Sequence, residues 1–269
     1  MSSYVEISYA QVGLAAGLIA INGALSVALQ LKLERPLIIA SVRTVVQLLL
    51  VGLVLESVFR IEGWPVVLAL AAVMTAIAGW TASARNKRTY PGIWVTTLVS
   101  VWASSWLITS FALLAVLQGL KPWYQPQYAI PLLGMVLGNT LNGISVGLNT
   151  FTETLATRRE RIDSLLALGA TRWEAAREAI QHAVRTGMIP MINSMMVVGI
   201  VSLPGMMTGQ LIAGMSPVEA VKYQVVIMFL IASATALGTV GVVVLSFQRL
   251  FNARHQFLHG RIVKREPKR

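Results

Sequence analysis

The residues best placed for chemistry lie in one polar stretch, Thr150–Gly187, set in an otherwise apolar chain. It holds Asp163, the only aspartate, and His182, one of three histidines with His255 and His259. A membrane enzyme would need a nucleophile with a base, a carboxylate pair or a metal site. Cysteine is absent, so thiolate chemistry, disulfides and iron–sulfur clusters are excluded. The three histidines and Asp163 all fall in segments read below as cytoplasmic. No two carboxylates share an apolar segment, and no intramembrane His or Lys is available as a base. Glu56, Glu153 and Glu219 stand only at the borders of apolar segments, which weakens an ion-coupled secondary transporter. The chain has no Gly-Lys dipeptide and hence no Walker A loop. If it moves a solute uphill, the energy comes from another polypeptide.

What the polar stretch can do is dock. Leu165, Leu166 and Leu168 precede Gly169, and Ala175, Ala176, Ala179, Ile180 and Ala183 recur at spacings of three and four. This spacing predicts an amphipathic helix–turn–helix. Gly169 suits the left-handed position after a helix. Thr171 caps the next helix, with Glu174 three residues later closing a capping box. One reading is a loop that packs on the membrane surface. The other is a short helix that inserts into a groove of a cytoplasmic partner.

The elements that carry this stretch follow from composition. Of 269 residues, 55 % are apolar and only 12 % are charged, against about 25 % charged in soluble domains. Seven apolar segments are drawn at 9–31, 37–55, 64–84, 92–118, 129–150, 188–212 and 218–247. Each is long enough for a hydrocarbon core of about 30 Å, and no alternating barrel period is seen. The fold expected is all-α and polytopic, about seven transmembrane helices in one domain, 1–269, with a cytoplasmic loop at 151–187 and a basic tail at 249–269. The net charge of +11 would suggest nucleic acid in a soluble protein; here it sorts by side, and no nucleic-acid partner is expected. Basic residues follow the first, third, fifth and seventh segments: Lys32 and Arg35; Arg85, Lys87 and Arg88; Arg158 to Arg185; and Arg249 to Arg269. They make 18 of the 22. The other side has Arg60, Lys121 and Lys222. The positive-inside rule puts the N-terminus outside and the C-terminus in the cytoplasm, and no basic n-region marks the first segment as a signal peptide. The tail is read as a topology anchor on anionic lipid or as a binding arm.

Polar positions inside the apolar segments are candidates for a path. Arg43, with Gln47 one turn deeper, either snorkels to the interface or gates an anion. Asn139, Asn142, Ser145 and Asn149 mark the fifth segment, where Gly134/Gly138 and Gly143/Gly147 each form a GxxxG pair. Both helix glue and path lining are expected, with Asn142 and Asn149 lining the path. The sixth segment is interrupted at Pro204-Gly205, with Met206, Met207, Thr208 and Gln210 at the break. Eight of the eleven methionines lie between Met188 and Met228; they are soft-ion ligands or flexible filler. No His/Cys/carboxylate cluster predicts a resident metal.

The run Asp163-Ser164-Leu165-Leu166-Ala167-Leu168-Gly169-Ala170-Thr171, followed by Trp173, resembles the EAA-type coupling loop of ABC-transporter permeases, with Asp163 where that loop has Glu. Gly138-Asn139-Thr140-Leu141-Asn142-Gly143, Pro204-Gly205-Met206-Met207-Thr208-Gly209-Gln210, Ser216-Pro217 and Tyr223-Gln224 resemble the FetB-type (YbbM-like) permeases, from the first span to Phe251. That resemblance implies a membrane subunit of an iron exporter in a bacterial inner membrane, working with a separate FetA-type ATPase that carries ATP and Mg. It gives this chain no cofactor of its own. It implies a coupling role for Asp163, Leu165, Leu168, Gly169, Ala170, Thr171 and Trp173, and a homodimer within a two-plus-two complex. Plant relatives of the family are linked to aluminium tolerance and nucleotide-sugar transport. Two other classes stay open: a stand-alone channel or secondary transporter, and a membrane scaffold that recruits a cytoplasmic factor.

Overall fold

A computed structural model describes residues 7–61, 63–119 and 121–265. Nine α-helices are seen among them. α1 (Tyr9–Ala28) and α2 (Glu34–Ile61) form a hairpin. α3 (Trp64–Ala84) leads through β1 (Arg88–Thr89) to α4 (Ile93–Phe111), which continues as a wider turn over Ala112–Val116. α5 (Pro126–Thr157), the short α6 (Arg159–Ala167), α7 (Arg172–Val197), α8 (Gly205–Ile212) and α9 (Pro217–Leu250) follow. The tail adds β2 (Val263–Lys264), which pairs antiparallel with β1.

Among the described residues, six helices are long and apolar enough to cross a membrane: α1, α2, α3, α4 with its extension, α5 and α9. The predicted sixth span, 188–212, is not one helix. α7 ends at Val197, Gly199 takes a φ of +82°, and residues 198–204 run irregularly before α8. The expected interruption is present, but it starts earlier, after Val197, and runs up to Pro204. Pro204 caps the start of α8, a place where its missing donor costs nothing. The predicted loop 151–187 is itself mostly helical. α5 runs on to Thr157 and α7 starts at Arg172, so only residues 158–171 join the two long helices.

α5 is the central element, packed by α3, α4, α7 and α9. Glycines and threonines bring three of these helices together. A Cβ on Gly143 would stand 2.5 Å from Thr235 Cγ2, one on Gly147 2.7 Å from Thr239 Cγ2, and one on Gly187 2.8 Å from Gly143 O. The Gly143/Gly147 pair is therefore a site of close helix approach, as small residues in apolar segments allow. Gly138, of the other pair, meets nothing within 4 Å. It lies on the open side of α5.

The α1–α2 hairpin stands apart. Its turn is closed by Ser26 Oγ, which accepts from the Leu33 amide and donates to Glu34, each at 2.9 Å. Beyond that turn Val58 is the only buried residue of α2, and it joins the core through Leu55 and Phe59. The rest of the hairpin offers apolar side chains outward, a surface suited to lipid or to another membrane helix.

Candidate functional site

The predicted docking element is a rigid corner. α6 ends in a Schellman motif: the Gly169 amide bonds Leu166 O at 3.1 Å and the Ala170 amide bonds Leu165 O at 3.0 Å. Gly169 supplies the required positive φ, +91°. Thr171 Oγ1 then caps α7 through the Glu174 amide, and the Glu174 carboxylate accepts from the Thr171 amide at 2.8 Å and hydroxyl at 2.7 Å. These bonds, the amide one first, hold the Glu174 carboxyl below its ordinary value. Ile162 is buried and Leu165 and Leu166 are partly so, which fixes α6 on α5 and α7. Arg158 and Arg161 both pair with Glu178, while Arg159 pairs with Asp163 at 3.3 Å. Leu168 is left 85 % exposed at the tip. Trp173 lies half exposed, its ring edge-on to Phe247 at 5.5 Å.

The tail braces this corner, which the sequence did not signal. Phe247, Phe251 and Phe257 stack in a buried row with centroids 5.0–5.1 Å apart. The His255 side chain accepts from the Arg172 amide at 2.9 Å. The Arg265 amide bonds Lys87 O at 2.8 Å, and the Arg265 guanidinium bonds Ser83 O at 3.0 Å. The basic tail is thus folded onto the protein as far as Arg265; Lys268 and Arg269 lie outside the described residues. These contacts gather the 85–89, 158–172 and 249–265 segments at one end of the bundle. The Arg88–Glu153 pair, 2.8 Å, ties the first of them to α5 and raises the arginine further.

The path candidates separate into three places. Arg43 and Gln47 are exposed on α2, away from the rest. Asn139 and Asn142 are exposed on the open side of α5. Asn139 donates to Met135 O of its own helix at 2.9 Å, and Asn142 accepts from Arg85 at 2.8 Å. Asn149 accepts from the Lys87 amide at 3.1 Å, a bond that holds the α3–α4 connection to α5. Met206, Met207 and Gln210 sit on α8, with Met206 packed into the core beside α5 and α9. Arg85 as the partner of Asn142 was not picked out by sequence; only its place after an apolar segment marked it. Among the described residues, no group of three or more His, Asp or Glu gathers to hold a metal ion.

Comparison with known proteins gives a consistent relation over nearly the whole chain. A family described as "Uncharacterised protein family (UPF0014)" matches residues 9–251. The UPF0014 membrane protein slr1647 of Synechocystis is 37 % identical over 258 residues, covering 94 % of this chain and 98 % of that protein. The probable iron export permease protein FetB of Escherichia coli is 28 % identical over 236 residues, covering 88 % and 89 %. Protein ALUMINUM SENSITIVE 3 of Arabidopsis thaliana is 32 % identical over 234 residues, covering 86 % and 83 %. No solved structure matches the chain.

Proposed function

The chain belongs to the UPF0014 family of membrane proteins, and on that premise we propose that it is the membrane-spanning permease subunit of an ABC transporter exporting iron or another metal ion. Its likeness to the probable iron export permease of Escherichia coli favours that cargo. The observation that carries the reading is the α6–α7 corner, which presents Leu168, 85 % exposed, on a doubly capped turn. An apolar tip held this firmly is suited to the groove of a partner. The partner is a separate FetA-type ATPase, which holds ATP and Mg and does the hydrolysis.

In this reading the end that gathers the basic connections faces the cytoplasm and the N-terminus faces outward. α5 and α9 have 32 and 34 residues, about 48 and 51 Å at 1.5 Å per residue. Both overrun a core of about 30 Å. Their C-terminal turns and the first half of α7 project into the cytoplasm and carry the corner. From Met188 onward α7 enters the membrane, the break at 198–204 falls near mid-depth, and α8 completes a seventh crossing.

Two copies pair, because each offers one corner and ATPases of this class act in pairs. The open side of α5, with Asn139, Asn142 and Arg85, faces the shared path, since amides and a guanidinium are costly against lipid. Closure of the ATPase pair pulls the corners and turns the path outward; hydrolysis resets it. The reading is tested by expressing the chain with a FetA-type ATPase, reconstituting both, and measuring hydrolysis with Fe(II) and other divalent ions. Stimulated hydrolysis with transport is expected. Transport by the chain alone without ATP would make it a channel or secondary transporter. Binding through the corner without stimulated hydrolysis would make it a scaffold.

A further inference from the structure

The break after α7 opens a cavity of about 320 Å³ between it and the start of α9. Three methionines line it from three elements: Met195 on α7, Met207 on α8 and Met228 on α9. Gln224 lines it too. That glutamine is 7 % exposed, and its Oε1 has no hydrogen-bond partner. A buried amide oxygen left unpaired is costly, and a bound ion is one thing that can pair it. Gln210, one turn after Met207 on α8, has a second buried Oε1 without a partner.

Apolar filler would explain methionines one at a time. It does not explain why three of them, from three helices, line one cavity together with a buried glutamine whose amide oxygen has no partner. Thioethers are soft, polarisable donors that select Cu(I) over harder ions. A neutral donor set suits a monovalent cation, since a divalent one would bury twice the charge with no anion to offset it. The charged residues that precede Gln224 on α9, Glu219 and Lys222, neutralise each other at 2.6 Å. No cysteine competes anywhere in the chain. His182 falls midway along α7, and His255 and His259 belong to the tail that follows α9, so none is among the residues that line the cavity.

We propose that this cavity is a binding site for a soft monovalent cation, Cu(I) or Ag(I), ligated by the thioethers of Met195, Met207 and Met228 with the Gln224 amide oxygen. It goes beyond the transport reading and does not rest on it, because binding is a property of this chain without any ATPase. Gln224 is seven residues into α9, about 10 Å along the helix from its start. In the orientation proposed above that places the ion in the outer half of the membrane.

The test uses the full chain in nanodiscs, without ATPase, under anaerobic conditions. Cu(I) is titrated against a chromogenic Cu(I) chelator. About one Cu(I) per chain is expected to resist the chelator, and Fe(II) in about hundredfold excess is expected not to displace it. Met195→Leu, Met207→Leu and Met228→Leu should each weaken binding by about tenfold or more, and the triple variant should abolish it. Met135→Leu and Met188→Leu, which leave the cavity lining intact, should bind as wild type. Gln224→Leu should weaken binding, and Gln224→Met should restore it by offering a fourth thioether. Near-UV circular dichroism checks that each variant is folded. A wild-type chain that retains no Cu(I), a folded triple variant that retains it undiminished, or a loss that follows substitution of His182, His255 and His259 instead would each overturn the proposal. The first two of these results would leave the cavity to a lipid chain.

Discussion

Glu174 and Gly169 act on the same turn by different physics. The Glu174 carboxyl is held below its ordinary 4.5 by hydrogen bonds from Thr171, so the folded state favours the charged form. Stability from such a group is complete above the ordinary value and is lost as pH falls through the lowered one. The first turn of α7 should therefore loosen on acidification below about 4.5. A fluorine label on the adjacent Trp173 would report it by NMR as a shift absent at neutral pH. Glu174→Gln keeps an acceptor for the Thr171 amide but cannot titrate, so its signal should not move over that range. Gly169 works through backbone freedom alone, since a Cβ there would meet nothing within 4 Å. Gly169→Val should cost about 1–2 kcal/mol for the left-handed conformation and displace Leu168. In the reconstituted complex the expected outcome is ATPase activity that no longer drives transport. Transport retained at the wild-type ratio to hydrolysis would show that this corner does not couple.

Among the elements, the α5–α7–α9 contact is where packing leaves least room. Gly143→Ala or Gly187→Ala would force a Cβ to within 3 Å of Thr235, Thr239 or backbone. Overpacking of this kind costs about 1–3 kcal/mol, so both should lower the melting temperature of the chain in detergent. Gly138→Ala has open space. It should leave the isolated chain unchanged or raise its stability by up to about 1 kcal/mol, as alanine does in helix interiors. The contrast marks what was legible in the sequence. The α6–α7 turn could be read because its determinants are local: a glycine after leucines, and Thr171 three residues before Glu174. Both GxxxG pairs looked alike, since spacing says nothing of which face meets a neighbour. Pro204-Gly205 predicts the break in the sixth segment, yet α7 carries Pro190 within it and ends at Val197. Loss of one backbone donor does not decide where a helix stops when neighbouring helices decide its packing. The aromatic row of Phe247, Phe251 and Phe257 joins residues on both sides of a chain reversal, which no periodicity announces.

For the whole molecule, two exposed surfaces need a neighbour of different kinds. The α1–α2 hairpin is apolar over most of its length, and lipid can cover it. The open side of α5 is different: Asn139, Asn142 and Gly138 are exposed on the helix that otherwise forms the centre of the bundle. In the proposed orientation Asn142 lies about 24 Å along α5 from its outer end, toward the cytoplasmic side. Arg85 meets it there. Polar groups at such a position line water or another chain. The absence of cysteine makes this testable without background. Asn139→Cys and Asn142→Cys should react with a membrane-impermeant maleimide from the cytoplasmic side. Leu49→Cys and Leu114→Cys, both at exposed apolar positions, should not react. If a second copy and an ATPase pair complete the path, binding of a non-hydrolysable ATP analogue should change labelling at 139 and 142 and leave the lipid-facing controls silent. Equal reactivity at all four positions would remove the path from this side of α5. Labelling at 139 and 142 that ignores both nucleotide and ATPase would point to a permanently open channel.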